Sequence, residues 1–279
     1  MLSYFVFQPP GPGHWARASP IGDSLSVVKR EGNAKIYYLY VKYDAASAAS
    51  AEDKPLTILY SHGNAEDLYT CHEKLKWLSR AVGVDVVAYD YCGYGSSKAP
   101  EKGKCPTEQT VYDDAEAMYT EVTKTLKIQP DRIIVMGRSM GGGPSCYLAK
   151  KHHKEIGGLV LLSTFTSCLG VLDFLSPVLR WVHFPDMFCN IECLKEVSGC
   201  PVLIMHGKKD NVVPFRCSVA LLETIEKTKR VHGNNQLVEA EWFETGTHNI
   251  EYEERGELAR RLQRFLCKVR NSKAARSEL

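Results

Sequence analysis

Short apolar runs recur along this chain, separated by segments whose apolar residues return every three to four positions. The runs are Leu56–Tyr60, Val84–Tyr89, Ile133–Met136, Ile156–Leu162 and Pro201–Met205, and Leu237–Phe243 reads as the last strand. Unalternating runs of this length predict strands buried on both faces. In the first intervening segment, Leu68, Cys71, Leu75, Leu78 and Val82 share one helical face. Thr107 is placed to cap a helix running to about Leu126, and Pro130-Asp131 stops the connection that follows. Further helices are expected from Gly142 to Lys150, from about Phe215, and from about Glu251 to Val269. Near the start, Ser26–Arg30 and Lys35–Tyr43 read as two strands joined by a hairpin signal, Glu31-Gly32-Asn33. The alternation predicts an α/β fold: a mostly parallel central sheet with helices on both faces.

Three stretches depart from this rhythm. Residues 1–24 are irregular and rich in proline and glycine from Pro9 to Gly13. Their apolar start, Met1 to Phe7, is read as packing on the sheet rather than entering a bilayer. Asp44 to Asp53 is Ala/Ser-rich and reads as a surface loop. Thr164 to Gly199 is apolar without a strand pattern. It is read as a short helical insertion, residues 165–199, after the sixth strand and over the top of the sheet. Packing of an ordinary connecting helix explains it equally well. These boundaries give one domain over residues 25–270, with a C-terminal tail at 271–279.

The elbow strand runs into Gly137-Arg138-Ser139-Met140-Gly141 and then a helix. A serine between two glycines on a strand-to-helix turn is a nucleophile elbow. A Cβ at Gly137 or Gly141 would clash with neighbouring backbone, and the helix behind the turn aims free N–H groups at developing negative charge. A serine hydroxyl needs a base, and the base needs an acid to orient it. Asp210 follows the strand that ends at Met205, and His248 follows the last strand. Ser139, Asp210 and His248 each lie beyond the carboxyl end of a strand, where ligands bind in such sheets. For the oxyanion, Met140 offers the N–H after the nucleophile. Asn64 offers a second, in the loop Ser61-His62-Gly63-Asn64-Ala65. His62 is read as bracing that loop, and His206 as supporting the acid loop. This chemistry asks for no metal and no organic cofactor.

Composition narrows the alternatives. The chain has 279 residues, 44% hydrophobic and 24% charged, so it is globular. Net charge is +2 with no long basic run, which gives no reason to invoke nucleic acid. Ten cysteines include no C-x-x-C pair, which argues against a zinc knuckle. The start lacks the charged region of a secretory signal, and no run reaches the 18 apolar residues of a membrane span. The expectation is a cytoplasmic protein with free thiols and no stable membrane anchor, a peripheral place at membranes remaining open.

His62-Gly63-Asn64-Ala65, Asp90-Tyr91-Cys92-Gly93-Tyr94-Gly95-Ser96, the elbow, the Asp210 segment and Gly246-Thr247-His248-Asn249 together resemble the α/β-hydrolase superfamily. Within it the chain is similar to the α/β-hydrolase domain-containing protein 17 group, which are protein depalmitoylases. The likeness runs from about residue 4 to residue 268 and includes Phe5-Val6-Phe7-Gln8-Pro9-Pro10 and Asn190-Ile191-Glu192. Such chains are also labelled serine peptidases of the prolyl-oligopeptidase type. The resemblance implies acyl transfer to water through an acyl-enzyme, on an ester or thioester with an apolar acyl chain. The substrate is then an acyl ester or thioester, with an S-acylated protein as one form of it. The group carries an N-terminal cysteine cluster that is palmitoylated and tethers it to membranes, whereas the first cysteine here is Cys71. Two alternatives stand beside this reading. One is a peptidase acting on short peptides; the other is a non-catalytic binding protein on a hydrolase scaffold.

Overall fold

The computed structural model describes residues 6–10, 24–30, 34–44, 55–97, 106–175 and 185–277. Eight strands form one sheet: β1 Leu25–Lys29, β2 Lys35–Val41, β3 Thr57–Ser61, β4 Asp85–Tyr89, β5 Ile133–Arg138, β6 Gly158–Leu162, β7 Val202–Gly207 and β8 Val238–Phe243. The helices are α1 Leu68–Val82, α2 Glu108–Thr120, α3 Gly142–His152, α4 Cys168–Leu175, α5 Asn190–Leu194, α6 Phe215–His232, α7 Ile250–Glu253 and α8 Arg255–Ser277. The strand order is β1-β2-β4-β3-β5-β6-β7-β8. β1 pairs antiparallel with β2, and β2 with β4; β4 through β8 run parallel.

Successive side chains along the central strands enter opposite layers, as the two-residue period of a strand requires. Leu59, Val135, Leu161 and Ile204 face α2, α3 and α6, where they meet Val111, Leu148 and Leu221. Ile58, Met136, Val160 and Met205 face α1 and α8, where they meet Leu75, Leu262 and Phe265. Every residue of β3, β5, β6 and β7 is buried. Burying one such aliphatic side chain is worth about 1.5–3 kcal/mol, which is why the unalternating runs occupy the sheet centre.

Helix starts follow local chemistry. Thr107 caps α2 in a capping box with Thr110, and Asp67 does the same for α1 with Thr70. α2 does not continue as an α-helix to Leu126. From Glu121 to Thr125 it widens into a π turn, in which the Leu126 N–H reaches the Glu121 carbonyl at 3.0 Å. The C-terminal helix differs from expectation in two ways. It breaks at Glu254 between α7 and α8, and it continues to Ser277 where a tail was expected from residue 271.

Two helices follow β6, as expected for an insertion there. The second, α5, packs between α3 and α6 beside the sheet. That half therefore behaves as a connecting helix; residues 176–184 lie outside the described residues. So do residues 31–33 of the expected hairpin turn, although the β1–β2 pairing that it implies is present. Phe7 is buried, its ring edge-on to Phe188 with centroids 5.9 Å apart. The described part of the N-terminal segment thus packs on the domain.

β3 and β5 are neighbours, yet the chain leaves β3 for β4 on one side and then crosses to β5 on the other. This is a topological switch point, where loops leave the sheet in opposite directions and open a crevice. The β3 end carries Ser61-His62-Gly63-Asn64, and the β5 end carries Arg138 and Ser139.

Candidate active site

Ser139 has φ of 51°, in the left-handed region that side chains with a Cβ rarely adopt. Strain of this kind costs about 1–3 kcal/mol and persists only where the surroundings enforce it. Here the enforcement is steric. A Cβ at Gly137 would lie 2.2 Å from the Gly141 carbonyl oxygen, and one at Gly141 would lie 2.0 Å from that of Ser61. The turn can therefore press directly against β3. Thr164 Oγ1 donates to the Ser139 carbonyl at 2.6 Å and completes the clamp. We expect Gly141→Ala to lower stability by at least about 1–3 kcal/mol, since the obstructing atoms are backbone and cannot rotate away. Urea denaturation checks this, and an unchanged midpoint would contradict it.

Asp210 lies in the turn after β7. One carboxylate oxygen accepts the Val212 and Val213 N–H groups, each at 2.8 Å. The other lies 2.8 Å from His248 Nδ1 and 3.1 Å from His206 Nε2. The carboxylate is fully buried, and burial alone would oppose its ionisation. Hydrogen bonds from His206 and His248 outweigh that and hold its pKa below the usual carboxylate range. Nδ1 of His248 faces a carboxylate, so the proton resides there and Nε2 is left with a lone pair. His206 is buried between Asp210 and Ser218, whose hydroxyl lies 2.6 Å from its Nδ1. It braces the acid loop. The acid and base loops are also joined through backbone, since the Lys209 N–H donates to the Gly246 carbonyl at 3.0 Å. On the base loop itself, Thr247 is held by Glu253 through its N–H at 2.9 Å and its hydroxyl at 2.6 Å.

The structure thus brings Asp210 and His248 into direct contact. Ser139 meets them through its neighbour: Arg138 Nη2 donates to the His248 carbonyl at 3.4 Å and to Asn249 Oδ1 at 2.7 Å. Among the described residues no hydrogen bond joins the Ser139 hydroxyl to His248. Contacts of this kind are often loose without substrate.

Asn64 and Met140 flank the elbow as the two expected oxyanion donors. The Asn64 side chain is committed elsewhere. Its Oδ1 accepts from Tyr94 Oη at 2.6 Å and from the Gln8 N–H at 2.8 Å, and its Nδ2 donates to the Val6 carbonyl at 2.6 Å. That leaves its backbone N–H as the donor to offer a ligand. Tyr94 Oη also lies 4.0 Å from Met140 Sδ, so one hydroxyl touches both residues. Gly63 donates its N–H to Glu66 at 2.8 Å.

His62 is buried, with its Nδ1 donating to the Gly63 carbonyl at 2.8 Å and its ring 4.3 Å from that of Tyr91. Its Nε2 lies 3.6 Å from Asp90. Burial lowers the His62 pKa, which favours the neutral ring, and raises that of Asp90 to about 8. A neutral, enclosed ring suits a brace for the loop. His152, at the far end of α3, pairs with Glu116 away from the site.

Sequence reasoning passed over four charged residues here: Glu66, Lys74, Arg138 and Glu251. The available signal was a guanidinium inside the elbow motif, at the end of a strand with no other charge.

Comparison with known proteins accords with this geometry. Residues 53–183 match a family model described as serine aminopeptidase, S33. The chain is 33% identical over 210 residues to human alpha/beta hydrolase domain-containing protein 17B, which covers 75% of this chain and 66% of that protein. It is 32% identical over 210 residues to the 17C protein of Xenopus tropicalis, covering 75% of this chain and 61% of that one. The chain thus spans about two thirds of the length of these relatives. Among solved structures, an esterase of Pyrococcus furiosus superposes with a TM-score of 0.67 at 18% identity, over 94% of this chain and 99% of that one. Mouse alpha/beta hydrolase domain-containing protein 10 superposes with a TM-score of 0.62 at 17% identity, over 88% and 99%. With its switch-point serine, its sheet order and these relatives, the chain belongs to the α/β-hydrolase superfamily and within it is similar to the domain-containing protein 17 group.

Proposed function

We propose that this chain is a serine hydrolase that cleaves acyl esters or thioesters through an acyl-enzyme. The observation that carries the reading is the strained serine at the switch point, whose neighbour Arg138 holds the loop of a histidine that is itself held by a buried carboxylate. In this scheme His248 Nε2 takes the Ser139 hydroxyl proton as Oγ attacks the acyl carbon. The oxyanion is met by the backbone N–H groups of Asn64 and Met140. The imidazolium then gives its proton to the departing alcohol or thiol. Water, activated by the same nitrogen, releases the acid. Asp210 keeps the proton on Nδ1 and stabilises the imidazolium.

Similarity to the 17 group supports a thioester substrate with an apolar acyl chain, an S-acylated protein being the form that group acts on. No described helix is long and apolar enough to cross a membrane. A cytoplasmic enzyme meeting substrate in solution or peripherally at a membrane is part of the proposal. The aminopeptidase description of the matching family favours a second reading, hydrolysis of short peptides.

A fluorophosphonate probe is expected to label wild type and to leave Ser139→Ala unlabelled. Turnover of an acyl-chain ladder of esters and thioesters should exceed that of aminoacyl arylamides. The reverse order would replace the esterase reading with the peptidase one, and an unlabelled wild type would remove both.

A further inference from the structure

We propose that Arg138 is a positioning residue that locks the base loop and the oxyanion loop to the nucleophile elbow through a buried four-charge cluster. This rests on the serine-hydrolase reading above. Arg138 is the last residue of β5 and is 6% exposed. Its guanidinium points away from solvent and divides its donors among three elements. Nε pairs with Glu251 on α7, Nη1 lies 3.6 Å from Glu66 Oε2, and Nη2 holds Asn249 and the His248 carbonyl.

The partners extend the lock. Glu66 accepts the Gly63 N–H at 2.8 Å on one carboxylate oxygen and Lys74 Nζ at 2.6 Å on the other. Lys74 lies 3.8 Å from Glu251 and closes the ring. Two acids and two bases are balanced, and against the effect of burial Lys74 and then Arg138 lower the Glu66 pKa to about 2. Gly63 precedes Asn64, so the same carboxylate that meets the arginine also fixes the oxyanion loop. A Cβ on Gly63 would lie 2.6 Å from Arg138 Nη1, which shows how closely that loop rides on the guanidinium.

Stability alone does not account for such a cluster, because well-packed apolar residues commonly replace buried ion pairs without loss. Geometry does. Arginine presents five donors in a rigid planar fork, so three partners are held at fixed angles, which a lysine ammonium on a flexible stem cannot reproduce. The partners are the loops bearing His248 and Asn64, and the fork is covalently next to Ser139. Small displacements of such groups are expensive in rate, about 10²-fold for an error near 1 Å.

The test compares Arg138→Lys, Arg138→Met and Asn249→Ala by steady-state kinetics on an acyl ester and by thermal melting. Arg138→Lys keeps the charge opposite Glu66 and Glu251 but loses the Nη2 contacts. It is expected to lower kcat about 10²-fold with KM changed less than 3-fold. Asn249 is exposed, and Asn249→Ala removes one Nη2 partner without disturbing the cluster; a kcat loss near 10-fold at unchanged melting temperature is expected. Arg138→Met should show the largest kcat loss. Variants that melt lower yet keep kcat within 3-fold of wild type would overturn the proposal and leave Arg138 a purely structural residue. A wild type unlabelled by fluorophosphonate would overturn the hydrolase reading and this proposal together, so the two failures are distinguishable.

Discussion

Ser139→Ala is expected to reduce acyl turnover roughly 10⁶-fold, the loss seen when the nucleophile is removed from a comparable triad. The residue that remains should fold. Alanine meets the same φ as serine, and the Thr164 contact uses the backbone carbonyl at position 139 rather than the side chain. The oxyanion loop, the Asp210–His248 pair and the Arg138 contacts are all independent of the hydroxyl. The measurement is kcat on an activated ester beside a urea unfolding curve. A variant with a wild-type midpoint and near-wild-type turnover would remove Ser139 from the chemistry. A variant that failed to fold would instead show that the elbow needs the hydroxyl.

Asp210→Asn carries the second large effect. Loss of the carboxylate removes the preference for a proton on His248 Nδ1, and by comparison with a triad lacking its acid the expected fall in kcat is about 10⁴-fold. The same substitution should change the pH dependence of stability. Asp210 has a pKa depressed on folding below its unfolded value, ordinarily near ~3.9. The stabilisation it provides is therefore fully present above that unfolded value and is lost as pH falls through the folded one. The gap in stability between wild type and Asp210→Asn should be widest above about pH 5 and shrink on acidification. Denaturation midpoints of both proteins from pH 7 down to pH 3 decide the matter. A gap that widened toward acid would mean that the carboxyl is not held ionised in the fold.

Much of the fold is legible because its causes are local. Val86–Ala88 and Leu159–Leu162 have no polar face to present to water, so they must be central strands. Thr107 and Thr110 satisfy the first turn of α2 by themselves. The elbow declares itself in part for a similar reason: Gly137 is required by the Gly141 carbonyl within the same turn, whereas Gly141 is required by β3, about 80 positions away. The misplacements also have local meaning. The π turn at Glu121 and the break at Glu254 each occupy about one turn or less, too short a stretch for the apolar periodicity to register. Residues 271–277 lack an apolar stripe and yet continue α8.

What the amino-acid sequence determines by itself is the series of elements and the candidate nucleophile, since burial period, capping and the Gly137 clash within the elbow act over a few residues. The tertiary structure decides the rest. It sets β4 outside β3 and so creates the switch point. It brings Asp210 onto His248, and it turns Arg138 toward a carbonyl 110 positions away. It also gathers Glu66, Lys74 and Glu251 around one guanidinium. The physical reason is that a buried charge is tolerated only beside its partner, and the partners come from segments that the chain joins solely by folding.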